Sequence, residues 1–534
     1  MNINDQNDRN SNKNNLNALN YAINKNINPS DFYSNNNKNN NDNIIIKLLV
    51  ILITLILIIS IVIGVVFTFK TSNKANEIDN TSINNQSSDD EDISSEQKVI
   101  NNTINEDSTA TLNRKYGRIE IAWVDKNNNI ISKPLAPVLN GMQAVSYKAN
   151  DSKFVKVTNT DSQWYDYSNH FWANAIDDNG SYFVWIPRYA YKIIYYSDNT
   201  YTKEIGYCDY RGLLKLNSDN KTLTKIYGTS AGLTEIGNHY ILAPAFMKDT
   251  ASGYNNGGWD ANLQGIWVAK YETSMEVDGK NTETSTTEIG NVSISNLVKA
   301  VSKPGLTSWR NITINNSYLN SYNYNRNQES HMIKNSEWGA LVYLAYSKYG
   351  LNGSNISVNK NNKYITGGSE SEADVYLYNT NQSTTGNSTG VYDLAGGAWE
   401  YIAGYISNGY WGLKTYGGTT ENDLFGTGKN SKYKTVYSHA AQDQGGTDYN
   451  SSYSMANYLL SVTRRGEALL EVSTSGFGND GWNNNSAFYV QQDIPFFMRG
   501  GDFNSQASAG LFSYTGVDGQ TNASQGYRIV LAEE

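Results

Sequence analysis

The chain has 534 residues, enough for two or three ordinary domains or for one large domain with tails. Its formal net charge of −9 at pH 7 argues against a nucleic-acid-binding protein, which needs a concentrated basic surface to displace counterions from phosphate. The single cysteine, Cys208, excludes an intramolecular disulfide and a zinc site with several thiolate ligands.

The N-terminal part of the chain predicts a tail, a membrane anchor and a stalk. Residues 1–43 are rich in Asn and have no sustained apolar period, so we expect a disordered tail. Residues 44–69 contain the uncharged run Leu48–Phe69, which would span about 33 Å as a helix. This length predicts one transmembrane helix, and the alternative is a cleaved signal peptide. Residues 70–115 are acidic and poor in apolar residues, which predicts an extended disordered stalk.

The orientation of the anchor is nearly balanced by charge alone. Lys38 and Lys47 lie on one side of the apolar run, and Lys70 and Lys74 lie on the other. We expect a cytoplasmic N-terminus and an extracellular C-terminal domain in the cell membrane, partly from the family resemblance described below.

From Tyr116 onward, short apolar and aromatic runs alternate with Gly, Asn, Asp and Ser clusters. This pattern predicts an α+β domain with long ordered loops, which we divide into a β-rich preface (116–180) and a head (181–534). The segment YGRIEIAWV alternates apolar and polar residues and predicts the first strand. The other predicted elements are strands within 182–196, 265–274 and 527–534, and helices over 336–349 and 452–470.

Six segments of the head stand in the order typical of the formylglycine-generating-enzyme family. They are GIWVAKYETS (265–274), LTSWRNIT (306–313), MIKNSEWGALVYLA (332–345), GVYDLAGGAWEYIAG (390–404), MRGGDF (498–503) and GYRIV (526–530). The chain therefore resembles that family, and the resemblance implies a C-type-lectin-like fold with a small twisted sheet, two helices and long loops. The C-terminal pattern also resembles retroelement-diversified variable proteins, and the preface with VWIPRYAYKI resembles surface or prophage proteins.

The resemblance implies a structural calcium ion at the turn within 390–404. Its ligands would be the residues that match the family positions, Asp393, Gly396, Ala398 and Glu400. Two carboxylates and two backbone carbonyls make a hard oxygen cage that suits Ca²⁺. The alternative is that Glu400 pairs with an arginine and that no metal binds. Arg499 and Arg528 are candidates to hold loop carbonyls or such a carboxylate through a planar guanidinium fork.

We do not expect the family's oxidative chemistry in this chain. In the family, a cysteine pair in the C-terminal third binds copper, whereas residues 400–534 contain no cysteine, so we expect no copper centre. Residues 228–232 match the G-x-S-x-G pattern of hydrolases, but the strand before them is typical of a hairpin and no βαβ pattern surrounds it. Paired carboxylates for glycoside cleavage have no motif support. The sequence therefore predicts a protein that is not an enzyme.

Binding is the function that the C-terminal composition favours. Residues 476–514 are dense in Asn, Ser, Gly and aromatic residues, which is typical of adaptable binding surfaces. The candidate ligand contacts are Trp482, Tyr489, Phe497 and Asn504, and the alternative is that the aromatic residues form the core. We expect an adhesin-like or receptor-like protein with a protein or glycan ligand. The alternatives are a surface enzyme of unrecognised chemistry and a structural component of a surface or prophage assembly.

Overall fold

The computed structural model describes residues 117–148, 153–196, 204–209, 212–217, 222–227, 235–249, 257–281, 289–368, 380–426, 432–447, 450–461, 464–473 and 475–533. The predicted tail, membrane helix and stalk lie outside the described residues, and so does the G-x-S-x-G segment at 228–232. Within the described ranges, no helix has the length and apolar character needed to cross a membrane. The described residues, all within 117–533, belong to one compact unit.

The described elements are short strands and four α-helices joined by long loops. The strands are β1 (Gly117–Trp123), β2 (Gln143–Lys148), β3 (Lys153–Lys156), β4 (Asn174–Ile176), β5 (Tyr182–Pro187), β6 (Tyr189–Tyr196), β7 (Glu204–Asp209), β8 (Gly212–Leu216), β9 (Leu223–Tyr227), β10 (Glu235–Ile236), β11 (Tyr240–Leu242), β12 (Gly265–Ala269), β13 (Ser274–Val277), β14 (Lys280–Asn281), β15 (Val298–Val301), β16 (His331–Met332), β17 (Trp399–Ile406), β18 (Thr435–Tyr437), β19 (Phe496–Gly500), β20 (Gly510–Val517), β21 (Gln525–Tyr527) and β22 (Ile529–Ala532). The helices are α1 (Ile314–Tyr322), α2 (Asn335–Tyr346), α3 (Trp411–Gly417) and α4 (Ser451–Leu460).

These strands form four sheets, and the described part of the chain is α+β, as predicted. One sheet has the order β10-β11-β6-β7-β8-β9 with β1 beside β6, and a second has the order β16-β22-β12-β5-β4-β2-β3. A small sheet, β14-β13-β15, and a fourth, β18-β17-β19-β20 with β21 beside β17, complete the set. Strand β17 pairs in parallel with β18 and β21. The strand that precedes the G-x-S-x-G segment, β9, pairs antiparallel with β8, as the predicted hairpin requires.

The boundary predicted between residues 180 and 181 is not a break in the structure. Strand β1 of the preface pairs with β6 over its whole length, and β4 pairs with β5. The preface therefore supplies strands to both seven-stranded sheets of the head. A sequence pattern that only reports local periodicity cannot show which strands share a sheet.

The predicted strands at 182–196, 265–274 and 527–534 are confirmed, but the helix predictions need correction. Helix α2 matches the predicted 336–349 closely, whereas α4 ends at Leu460 rather than at residue 470. A continuous helix to residue 470 is excluded because Gly466 and Ala468 adopt positive φ angles of 82° and 51°. Helices α1 and α3 were not predicted, since their polar and Gly-containing sequences lack a clear apolar period.

Helix α2 is the centre of the core, and every one of its residues is buried. A helix that is apolar on all sides belongs inside a domain, and α2 packs against β1, β5 and β17. The Trp338 indole donates a hydrogen bond to the Leu511 carbonyl at 2.9 Å. Gly339 brings the helix so close to the next layer that a Cβ there would lie 2.0 Å from the Gly466 oxygen.

Candidate functional site

The turn before β17 leads into a buried ion pair that joins β17 to the last strands of the chain. The Arg528 guanidinium donates from Nε and Nη2 to the two Glu400 oxygens, at 2.8 and 2.5 Å, and both side chains are fully buried. Arg528 also donates to the carbonyls of Ala269 at 2.8 Å and Tyr392 at 3.0 Å. The predicted arginine fork on Glu400 is therefore confirmed, and it ties β17 to β12 and to the region around β21 and β22.

The second predicted arginine, Arg499, holds carbonyl groups rather than a carboxylate. Its guanidinium donates to the carbonyls of Ser513, Glu467 and Ala468, at 3.0, 3.0 and 2.9 Å. It also donates to the Asn335 side chain at 3.2 Å. This confirms the predicted clamp on loop carbonyls, and it explains how the irregular chain after α4 is held against α2.

Asp393 organises the loop that lies next to this turn. Its carboxylate accepts the Gly367 N–H at 2.9 and 2.8 Å and the Asn359 amide at 2.9 Å. Burial raises the pKa of Asp393 to about 6, although the Arg528 charge and these hydrogen bonds oppose the increase. Asp393 itself has a φ of 62°, a left-handed conformation that Asp tolerates better than most residues.

Glu272 is a third buried carboxylate of this region, and no sequence pattern predicted a role for it. It accepts the Ala398 N–H at 2.8 Å and a hydrogen bond from the Ser308 hydroxyl. Burial, together with the charges of Asp393 and Glu400, raises the pKa of Glu272 well above its usual range. Gly397 makes this approach possible, because a Cβ there would lie 2.5 Å from Glu272 Oε1. Glu272 stands inside the GIWVAKYETS segment, which was used only as a landmark.

The geometry of the four predicted calcium ligands does not match a calcium cage. Both Glu400 oxygens contact Arg528, and both Asp393 oxygens accept N–H groups. Gly396 and Ala398 lie between Asp393 and Glu400 in the chain. The Gly396 backbone forms a bridge with Asn359, and the Ala398 N–H donates to the Glu272 carboxylate. No cluster of three or more His, Cys, Asp or Glu side chains suited to a metal occurs in the described ranges. The contacts match the alternative in which Glu400 pairs with an arginine, and calcium binding stays a prediction from the resemblance.

Three of the four predicted ligand contacts lie in the core. Trp482 is 1% exposed, and Tyr489 and Phe497 have no exposure. The Trp482 ring lies 5.3 Å from the Phe512 ring, and the Tyr489 ring lies 5.3 Å from that of Phe497. The expectation that these rings contact a ligand is therefore wrong for this structure, because composition does not distinguish an aromatic binding surface from an aromatic core.

The fourth predicted contact, Asn504, is half-buried and lies at a surface that we call the Arg310 cluster. The cluster consists of Arg310, Tyr364, Asp502, Phe503 and Asn504. The half-buried Phe503 ring lies 5.0 Å from the Tyr364 ring at an interplanar angle of 87°. On Tyr364, the guanidinium carbon of Arg310 lies 3.8 Å from the ring centroid. A cation over an aromatic face is attracted by the ring quadrupole.

The guanidinium of Arg310 has one edge without a protein partner in the described part of the chain. Nη1 donates to the Ala523 carbonyl, whereas Nε and Nη2 are buried and make no hydrogen bond to a described residue. Burial lowers the pKa of Arg310, while Tyr364 and Glu272 oppose the change, and an arginine stays protonated at neutral pH.

Strained and tightly held loops keep the Arg310 cluster in place. Tyr364 has a φ of 59°, which is unfavourable for an aromatic residue and is often found at functional sites. Asp502 accepts a 2.7 Å hydrogen bond from the Ser505 hydroxyl, and burial raises the pKa of Asp502. The Phe503 N–H donates to the Gly397 carbonyl at 3.0 Å, which joins the cluster to the turn before β17. Arg310 and Asp502 stand in segments that resemble the family, but no local pattern predicted a role for either residue. Their proximity to Tyr364 arises only in the folded chain.

Comparison with known proteins adds no assignment to this site. No protein-family model matches the chain, and no curated protein matches it. The chemistry of the site therefore rests on its own contacts: a network of buried acids and arginines that supports the half-buried ring of Phe503.

Proposed function

We propose that the protein is a membrane-anchored, extracytoplasmic ligand-binding protein of the adhesin or receptor type. Its head would be a non-catalytic variant of the formylglycine-generating-enzyme type of C-type-lectin-like fold. Six landmark segments in the family order and an α+β architecture support this fold. The uncharged run Leu48–Phe69 supports a single membrane-spanning anchor, and the family resemblance supports a cytoplasmic N-terminus.

The observation that carries the binding function is the half-buried Phe503 ring, which lies beside the half-buried Asn504 and packs on Tyr364. The buried Arg310 guanidinium supports this ring pair from the Tyr364 face. A protein or glycan that offers a flat or apolar face for the Phe503 ring fits this feature.

The environment of the neighbouring carboxylates supports binding without catalysis. A general acid or base must reach the reacting group, but Glu272, Asp393 and Glu400 are fully or almost fully buried. Each of them is also held by hydrogen bonds from the protein, including the fork of Arg528 on Glu400. These acids are suited to hold the loops rather than to transfer protons.

The test is binding of the full-length protein, purified in detergent, to arrays of glycans and surface proteins. For a ligand that binds, we expect Phe503→Ala and Arg310→Gln to weaken binding at least tenfold, about 1.4 kcal/mol. Arg118→Gln is the matched control, because Arg118 is an exposed arginine in an ion pair with Glu120 elsewhere on the head. Unchanged affinity of Phe503→Ala and Arg310→Gln, in proteins that melt like the wild type, would overturn the proposed site.

A further inference from the structure

Residues 132–140, SKPLAPVLN, cross the outside of the second sheet as an extended strap between β1 and β2. The strap contains Pro134 and Pro137, which have fixed φ angles and restrict the residues before them to extended conformations. Among the described residues, no N–H of the strap donates a backbone hydrogen bond. The strap is therefore held in place by something other than strand pairing.

Four side chains hold the strap through its backbone carbonyls. The Tyr165 hydroxyl donates to the Pro134 carbonyl. The indole N–H groups of Trp185 and Trp267 donate to the Leu135 and Val138 carbonyls, at 3.2 and 2.8 Å. The Gln328 amide donates to the Asn140 carbonyl at 3.0 Å. Proteins hold extended proline-containing peptide ligands in the same way, with aromatic side chains that pack on the peptide and donate to its carbonyls.

The surface beneath the strap is a row of apolar side chains on three adjacent strands. Trp185 on β5 is paired with Trp267 on β12, and Trp267 is paired with Leu531 on β22. The two indole rings lie 5.2 Å apart. A cleft remains between this row and the strap, with Val138, Asn140 and Gln328 along its sides. Without the strap, the two tryptophans, each 3% exposed, would face solvent.

The residues at both ends of the strap lie outside strands β1 and β2. At the C-terminal end, Asn140 and Gly141 have φ angles of 42° and 90°, and no neighbouring atom lies within 4 Å of a Cβ at Gly141. At the N-terminal end, Ser132 and Lys133 are exposed. The strap is exposed or half-buried along its length, whereas the tryptophans below it are buried.

We propose that the strap groove, formed by Tyr165, Trp185, Trp267, Gln328 and Leu531, binds an extended proline-containing polypeptide segment of a partner protein. The strap is a built-in competitor that occupies this groove until the partner segment displaces it. A peptide is the occupant because the donors match main-chain carbonyls spaced along one extended chain. The groove shares no residue with the Arg310 cluster, and its function does not depend on the membrane anchor.

The strap itself supplies the probe for a direct test. A fluorescein-labelled peptide SKPLAPVLN is titrated with the full-length protein in detergent and with a variant in which residues 132–140 are replaced by nine Gly and Ser residues. We expect the replaced variant to bind the peptide at least tenfold more tightly than the wild type, because a competitor reduces the open fraction of the groove. A scrambled peptide is the matched control and should bind neither protein.

Two further variants keep the test decisive. On the replaced background, Trp267→Phe retains an aromatic ring but removes the donor to the Val138 carbonyl, so peptide affinity should fall several-fold. If the replaced variant does not fold, Pro134→Ala/Pro137→Ala loosens the strap while every carbonyl remains, and it should bind the peptide more tightly than the wild type. Equal binding of the scrambled peptide, or no binding by folded variants with a replaced or loosened strap, would overturn the proposal.

Discussion

The buried ion pair of Arg528 and Glu400 allows a quantitative prediction for Arg528→Met. The change removes both hydrogen bonds to Glu400 and those to the carbonyls of Ala269 and Tyr392. Burial raises the pKa of Glu400 even in the wild type, and the charge and hydrogen bonds of Arg528 oppose the increase. Without Arg528 the buried carboxylate is protonated, which costs at most about 1.4 kcal/mol for each pH unit above the usual pKa of 4.5. Protonation of Glu400 therefore accounts for at most about 3.4 kcal/mol of the loss in unfolding free energy at pH 7, and about 0.7 kcal/mol at pH 5. We therefore expect a total loss of about 3–5 kcal/mol at pH 7 and a smaller loss at pH 5.

The assay is urea denaturation of wild type and variant at pH 5 and pH 7, followed by tryptophan fluorescence. Arg118→Met is the matched control, because the Arg118–Glu120 pair is partly exposed, with side-chain exposures of 44% and 32%. Such a pair contributes about 0–1 kcal/mol, so the control should lose little at either pH. A loss for Arg528→Met that is below 1 kcal/mol, or equal at pH 5 and pH 7, would refute the account of Glu400 as a charge held by Arg528 alone.

Three further predictions follow from the buried groups. Burial raises the pKa of Asp393 to about 6 and that of Glu467 to about 7, so the folded state keeps these protons at pH values where the unfolded state has released them. The melting temperature should therefore fall from pH 5 to pH 8. The fall should be smaller in Glu467→Gln, which cannot lose a proton at this position. Gly339→Ala should lower the free energy of unfolding in urea by about 1–3 kcal/mol, because its Cβ would lie 2.0 Å from the Gly466 oxygen; a gain in stability would contradict the close packing of α2. Calcium should not raise the melting temperature while Glu400 is paired, and a calcium-dependent increase that Glu400→Gln abolishes would establish the metal site instead.

Local patterns were sufficient for the elements with strong periodicity. The alternating segment around β1 and the apolar run of α2 predicted a strand and a helix that the structure contains. The extent of α4 could not be predicted in the same way. Beyond its end, Gly466 and Ala468 adopt left-handed conformations, and the Gly466 carbonyl packs closely against Gly339 of α2, a tertiary contact that no local pattern reports.

The partners of the site residues were harder to predict than the residues themselves. The pairing of Glu400 with Arg528 was stated as an alternative, since both side chains stand in recognisable segments. The role of Glu272 and the stacking of Arg310 on Tyr364 depend on residues more than 50 positions apart, and no short pattern reports them.

The sequence by itself determined the α+β class of the described residues. It also distinguished the N-terminal segments, with their polar tracts and one apolar run, from the aromatic-rich remainder, and it excluded a thiolate pair in residues 400–534. These properties depend on composition and on local period. Only the tertiary structure decided which aromatic residues are core and which are surface, because burial depends on what the rest of the chain places against a ring. For this reason Trp482 belongs to the interior, whereas Phe503 is half-buried at the surface.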